Sequence, residues 1–427
     1  MAFNTALSGL RAANQDLAVT GNNIANASTV GFKKSRAEFG DVYANSILGT
    51  GSRTPGSGVL VQNIAQQFDQ GNISITNNSL DLAISGNGFF ILNDQGSPVY
   101  TRSGIFGVDN QGYVVGSQNA RLQGFAAGPN GQILSGALSD LRIQTQDIAP
   151  SETTEVDWTV NLDSRRPVPA TPFDTTGPDP DPASYNWSTA ATTYDSLGNP
   201  HVLVSYYVKV APSTPPVAPT NANTWQVYTQ LDDQNPHLLG SVEFTTTGGV
   251  SQLYDDTGAA LPAGVTAFND TWTISGGASA TFDFDIDLQG STQHGSEFAV
   301  NALSQDGYAP GRLAGVTIDD TGVIFARYTN GQALTLGQVA LANFANPQGL
   351  RPVGNTNWAE SFDSGQPVIG APQTGSLGAI QSGALEDSNV DLSDQLVNLI
   401  IAQRNYQANA KTIETSDTVT QTIINLR

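Results

Sequence analysis

The sequence has no cysteine, a single methionine, three histidines, and only 17 Lys and Arg against 38 Asp and Glu. The missing thiols exclude disulfides, thiolate metal centres and cysteine nucleophiles, so stability has to come from packing. His201, His237 and His294 are the only imidazoles, the first two follow Asn-Pro, and none stands in an H-E-x-x-H motif; G-x-S-x-G and Walker sequences are also missing. Since histidine is the commonest general base, this scarcity argues against an enzyme and leaves only a carboxylate mechanism to consider. No apolar run approaches the roughly 18 residues of a membrane span, so no membrane insertion is expected. The N-terminus also lacks the basic start and apolar run of a secretory leader. Composition alone reads as cytoplasmic, although export routes without a cleavable leader exist and the chain's ends are unusual.

The cations that are present do not form a nucleic-acid surface. Lys33, Lys34 and Arg36 are the one local basic cluster, and placement near a helix C-terminus accounts for three such charges. Residues 149–288 carry 17 Asp and Glu against Arg165, Arg166 and Lys209. A polyanionic partner is therefore not expected, and the acidity reads as a device that keeps an exposed surface soluble.

At 427 residues the chain exceeds one ordinary core, and about two or three domains are expected. Its 44 glycines, 22 prolines and low charged fraction of 13% point to strands and turns rather than a helical bundle. The two ends differ from that texture. Phe3, Leu7, Leu10, Leu17 and Ile24, with Asn14 and Gly21 completing the frame, follow the three-four spacing of an amphipathic helix. The stripe is thin, and such a helix needs packing to persist. Leu392, Leu396, Leu399, Tyr406, Ala410 and Ile413 repeat the spacing at the other end, before the stripe shifts to Val419, Ile423 and Leu426. Asn389, Asp391 and Ser393 stand where helix caps are expected. Spacing alone leaves two readings open: a small coiled coil that closes the domain, or an oligomerisation seam.

Between the ends, GTGSRTPGSG (Gly49 to Gly58) reads as a linker, and runs such as Leu80 to Ile84 and Phe89 to Leu92, cut by Gly-rich turns, read as strands. Phe282 to Leu288 alternates strictly and predicts a half-buried strand. Its Asp283, Asp285 and Asp287 resemble the start of a calcium loop, but Leu288 and His294 occupy the positions that need Gly and Glu. The Asp-Asp-Thr-Gly stretches at Asp255 and Asp319 read as turns rather than as paired catalytic carboxylates. The expected fold is mainly β with terminal α-helices: nested all-β domains of sandwich or barrel type, plus an N-/C-terminal helical coiled-coil domain. The expected layout is 1–30 with 385–427 helical, 31–70 and 371–384 linkers, 71–148 with 289–370 a first β domain, and 149–288 an inserted outer β domain.

The run from Ala6 to Phe39, with Asn22-Asn23-Ile24-Ala25-Asn26 and Thr29-Val30-Gly31-Phe32-Lys33 as its most specific parts, resembles the N-terminal signature of the flagellar axial proteins, the rod and hook family. Leu80 to Leu92, Tyr100 to Phe106, Gly112 to Val115, Leu122 to Phe125 and Ser388 to Leu426 continue the resemblance in order. It implies a structural subunit rather than an enzyme. The large insert favours hook over rod: a subunit of a curved, flexible tube that works as a universal joint between rod and filament. Implied partners are copies of itself, rod and hook-associated junction proteins, the hook cap and the type III export machinery; the implied location is outside the cell, and no cofactor is implied. The expected assembly interface is Phe3, Leu7, Leu10, Leu17, Asn22, Asn23, Ile24 and Asn26 on the first helix, and Leu392, Leu396, Leu399, Tyr406, Ile413 and Ile423 on the last. Competing readings are a hook-associated or distal rod protein, a secreted β-rich adhesin or binding module, and a carboxylate-dependent glycosidase.

Overall fold

The computed structural model describes residues 2–42, 56–128, 131–144, 146–211, 223–262, 264–276 and 279–425. Strands fill most of the chain, and its two α-helices are α1 (Ala2–Ala25) and α2 (Leu392–Asn425). Asp391 starts α2, its Oδ1 accepting the amides of Ser393 at 2.8 Å and Asp394 at 3.3 Å, which satisfies donors that a helix start leaves free. At the end of α1 the Asn26 Nδ2 donates to the Asn22 carbonyl at 2.9 Å, and the chain turns at Gly31 with φ +70°. A Cβ on Gly31 would lie 2.5 Å from the Ser103 amide nitrogen, so only glycine fits there.

The chain divides into two compact units: Met1–Thr145 with Ala314–Arg327 and Ala333–Arg427, and Gln146–Leu313 with Tyr328–Gln332. In the first unit a sheet runs in the order Val323–Tyr328, Ala333–Val339, Arg121–Ala127, Phe89–Asp94, Ser97–Thr101, Asn357–Ala359 and Arg351–Gly354. Phe89, Tyr100, Phe344 and Trp358 build an aromatic core on it, Phe89 and Trp358 meeting edge-on at 5.7 Å.

The second unit is a sandwich of two sheets. One contains Glu155–Asp163, Ala267–Thr273, Thr281–Asp287, Thr292–His294 and Ala299–Gln305; the other is a meander of Trp187–Tyr194, Pro200–Lys209, Thr224–Leu231, His237–Phe244 and Val250–Tyr254. Their inner faces share one core containing Trp158, Trp225, Phe282, Phe284 and Ile286. The strand Thr281–Asp287 buries Phe282, Phe284 and Ile286 and turns Asp283 and Asp285 outward, as its alternation predicts. Both Asp-Asp-Thr-Gly stretches are turns: Asp255 Oδ1 accepts the Ala259 amide and Asp319 Oδ1 the Val323 amide, each at 2.8 Å.

The layout differs from the expected one in three places. Residues 289–313 fall in the second unit, because Ala299–Gln305 pairs antiparallel with Glu155–Asp163. Residues 31–70 are not a plain linker, since β1 (Ser35–Asp41) and β2 (Val59–Gln66) form an antiparallel pair; most of the Gly49 to Gly58 stretch lies outside the described residues. Residues 371–384 are likewise structured, with Ala379–Ser382 paired to Leu82–Ser85, and Ala384–Glu386 following it on Ile73–Ile75. Pairing between strands far apart in sequence is invisible to local composition. Among the described residues no helix is long and apolar enough to cross a membrane.

Candidate assembly surface on the terminal helices

The two helices lie side by side and antiparallel: Asn23 near the end of α1 donates to Gln395 Oε1 at 3.1 Å near the start of α2, while Gly9 abuts Asn409. Between these anchors α1 presents small or polar residues at three-four spacing, Ala6, Gly9, Ala13, Asp16, Thr20 and Asn23, of which Ala6, Ala13, Thr20 and Asn23 are buried. The facing residues of α2 follow the same spacing, with Gln395 and Ala402 buried and Leu399, Asn409, Ile413 and Ser416 partly so. Small side chains let the backbones approach closely. Burial of Asp16 beside this seam raises its pKa.

The expected leucine seam is therefore not the one that forms. Leu7, Leu10, Leu17 and Ile24 sit one position beyond the seam and are only partly buried, and Phe3 is 49% exposed. One residue is about 100° of rotation, so the leucine stripe flanks the contact instead of filling it. Asn22 is exposed, Asn26 caps its own helix, and Asn23 works as a clamp: besides Gln395, it accepts the Ser35 amide at 2.9 Å and donates to the Ser35 carbonyl at 2.8 Å, tying α1 to β1. On α2, Leu399 and Ile413 lie on the seam, Tyr406 is on its exposed margin, and the Ile423 side chain lies outside the described residues.

Leu392 and Leu396 point elsewhere. With Ile400 they form one i, i+4 row on α2, beside a second row of Val397 and Ile401, and all five are about half exposed. A contiguous apolar strip of this kind on a helix is a surface awaiting a partner. Phe3, Leu60 and Ile64 add further exposed apolar side chains on α1 and β2.

Where the helices leave the sheets, a buried ionic knot joins distant stretches of chain. Lys33 Nζ donates to Glu386 Oε1 at 2.6 Å and to the Asp69 carbonyl at 2.7 Å. Arg102 donates to Glu386 Oε2 at 3.0 Å and to the Gly86 carbonyl at 2.8 Å, and the Gly71 amide adds a bond to Glu386 Oε1. All three charged side chains are at most 5% exposed. Burial lowers the pKa of Lys33 and of Arg102, with Glu386 opposing the shift in each case. Asn389 stitches the same place, accepting the Lys34 amide and donating to the Gln67 carbonyl, both at 2.8 Å. Lys33 thus has a specific partner and is not merely a cation placed near a helix end.

Arg102, Glu386, Gly9 and Asn409 are the residues that spacing did not single out. The repeated small residues Ala6, Gly9, Ala13 and Thr20 carry a usable signal for the seam, whereas nothing local to Glu386 points to Lys33 and Arg102.

Four family descriptions match successive parts of the chain: flagella basal body rod protein over residues 3–33, flagellar hook protein FlgE/F/G D1 domain over 83–161, flagellar basal body protein FlaE D2 domain over 161–308, and flagellar basal body rod FlgEFG protein C-terminal over 381–426. The chain is 40% identical over 432 residues to the flagellar hook protein FlgE of Escherichia coli (strain K12), covering 100% of both, and 34% identical to that of Borreliella burgdorferi, covering 99% of this chain and 98% of the relative. The crystal structure of Helicobacter pylori flagellar hook protein FlgE2 shares its fold, with a TM-score of 0.54 at 17% identity over 73% of this chain and 100% of that one.

Proposed function

The chain belongs to the flagellar hook protein family, and on that premise we propose that it polymerises through its paired terminal helices into the curved, flexible tube that couples rod to filament. The observation that carries this reading is the exposed apolar strip of Leu392, Leu396, Val397, Ile400 and Ile401 on a helix whose opposite side is already occupied by α1. Covering each half-exposed side chain with a neighbouring copy returns about 1 kcal/mol. Repeated at every subunit of a tube, such increments hold a polymer together while each contact stays individually weak. The assembly residues on this reading are Phe3 and Leu7 with the half-buried Leu10, Leu17 and Ile24 on α1, and Leu392, Leu396, Ile400 and Tyr406 on α2. Asn23 and Asn26 shape the helix rather than face the neighbour.

Division of labour follows from chemistry. The unit spanning 146–313 is acidic and polar outside, so its contacts with neighbours are weak and able to slide as the tube bends, while the apolar helical contacts resist separation. Rod proteins and hook-associated junction proteins are the expected partners at the tube ends, with the hook cap and the type III export machinery acting during assembly outside the cell. A distal rod protein is the less supported reading, because the D2 match spans the large insert. Substituting Pro for Leu399 inside α2 tests the proposal: sedimentation should show loss of polymer while the β units still melt cooperatively. Normal polymerisation by that variant would refute the helical seam.

A further inference from the structure

We propose that a groove at the C-terminal end of α1, outside the seam and the apolar strip, receives a hydrogen-bond-donating segment of a second copy of this chain. The groove, of about 670 Å³, is lined by Asn22, Asn26, Ile105, Asn355, Asn357 and Trp358. Its polar atoms are spoken for except one. Trp358 Nε1 donates to Gln66 Oε1 at 2.6 Å, and Asn26 Nδ2 to the Asn22 carbonyl, but Asn357, only 7% exposed, has an Oδ1 with no protein partner. A buried acceptor left unpaired costs about 1–3 kcal/mol, which an incoming N–H or O–H removes. Beside it Ile105 is 52% exposed, an apolar side chain at the mouth of a concave site.

The rim is also held in place at some cost. Asn355 and Thr356 occupy left-handed backbone positions, with φ 53° and 57°, as a two-residue hairpin turn requires. Threonine is β-branched and poor at such a position where glycine is preferred, so the turn is kept rigid rather than relaxed. The occupant we assign is a second copy because Asn22 at the rim belongs to the exposed face of α1 that also carries Phe3, Asn14 and Ala18. A copy lying along that face runs into the groove. A polypeptide segment supplies both features the site asks for, an amide or hydroxyl donor for Asn357 and an apolar side chain for Ile105. This inference rests on the self-assembly proposed above.

The absence of native cysteine makes the test direct. Single-cysteine chains Ile105→Cys and Leu396→Cys, each labelled with a benzophenone maleimide, are irradiated as dilute monomer and as assembled polymer, and cross-linked peptides are mapped by mass spectrometry. Capture of a second copy from both positions in the polymer, and from neither in the monomer, is the expected result. Capture from Leu396 but not from Ile105 overturns the groove and leaves the helical seam standing; capture from neither overturns the assembly reading as well. Ile105→Arg gives an independent readout: the concentration needed for polymerisation should rise about tenfold with the melting temperature of the monomer unchanged, and an unchanged concentration would speak against the groove.

Discussion

Glu386 takes two cationic partners in the dry interior of the first unit, and its removal would leave both Lys33 and Arg102 without their counter-charge. We expect Glu386→Gln to lower the stability of that unit by ~3–5 kcal/mol in chemical denaturation, whereas joint replacement of all three by apolar residues of similar size should recover most of the loss. Titration supplies a second residue-scale prediction. Two hydrogen bonds from Arg165, one from its side chain and one from its backbone amide, bring the Asp163 carboxyl down to about 2 from 3.8. The native state thus binds fewer protons than the unfolded chain in acid, so this stabilisation is complete above about pH 5 and is lost as pH falls towards 2. Melting followed at stepped pH should show the second unit weakening over that interval in the native sequence and less so in Asp163→Asn. Neither partnership was legible from neighbouring residues alone. Lys33 reads as a solvated cation beside a helix, and the carboxylate that pairs with it arrives more than three hundred positions later.

The helices were legible as elements, and their caps nearly so, because three-four spacing and an Asp at the start are local properties. The face on which they meet was not. Leu10 and Leu17 score as an apolar stripe, but Ala13 and Thr20 lie on the seam, and only the partner's side chains decide between two frames that differ by one residue. Introducing bulk into the seam should therefore be worse than removing it from the flank: Ala13→Leu is expected to separate the helices and destabilise their pairing by about 1–3 kcal/mol, while Leu10→Ala leaves the monomer's melting nearly unchanged. Circular dichroism over the helical signal distinguishes the two. In the second unit Glu155 stands across from Asp285, and Asp157 from Asp287, on parallel neighbouring strands. Asn269 reaches both Asp283 and Asp285, at 2.8 and 3.1 Å, but it is neutral. Like charges placed opposite one another repel, so the melting temperature of this unit should rise with added salt. A fall with salt would show that the carboxylates are balanced by cations of the chain. The strands themselves were legible from alternation, as at Phe282, Phe284 and Ile286; which strand pairs with which was not, because Ala299–Gln305 joins Glu155–Asp163 across the whole insert.

For the whole molecule the account assigns cohesion to the chain ends and compliance to the acidic insert. Replacing residues 146–313 by a short linker should leave polymerisation intact and change the curvature of the tubes; complete loss of assembly would mean that the insert also holds subunits together. The central claim, however, is that the strip on α2 is covered by copies of this chain. Electron microscopy of the purified protein beside its Leu396→Asp, Ile400→Asp variant tests it most directly. The account predicts curved tubes from the native sequence, and from the variant only monomers whose β units melt at the native temperature. Tubes from both, or a native protein that stays monomeric at high concentration, would contradict it.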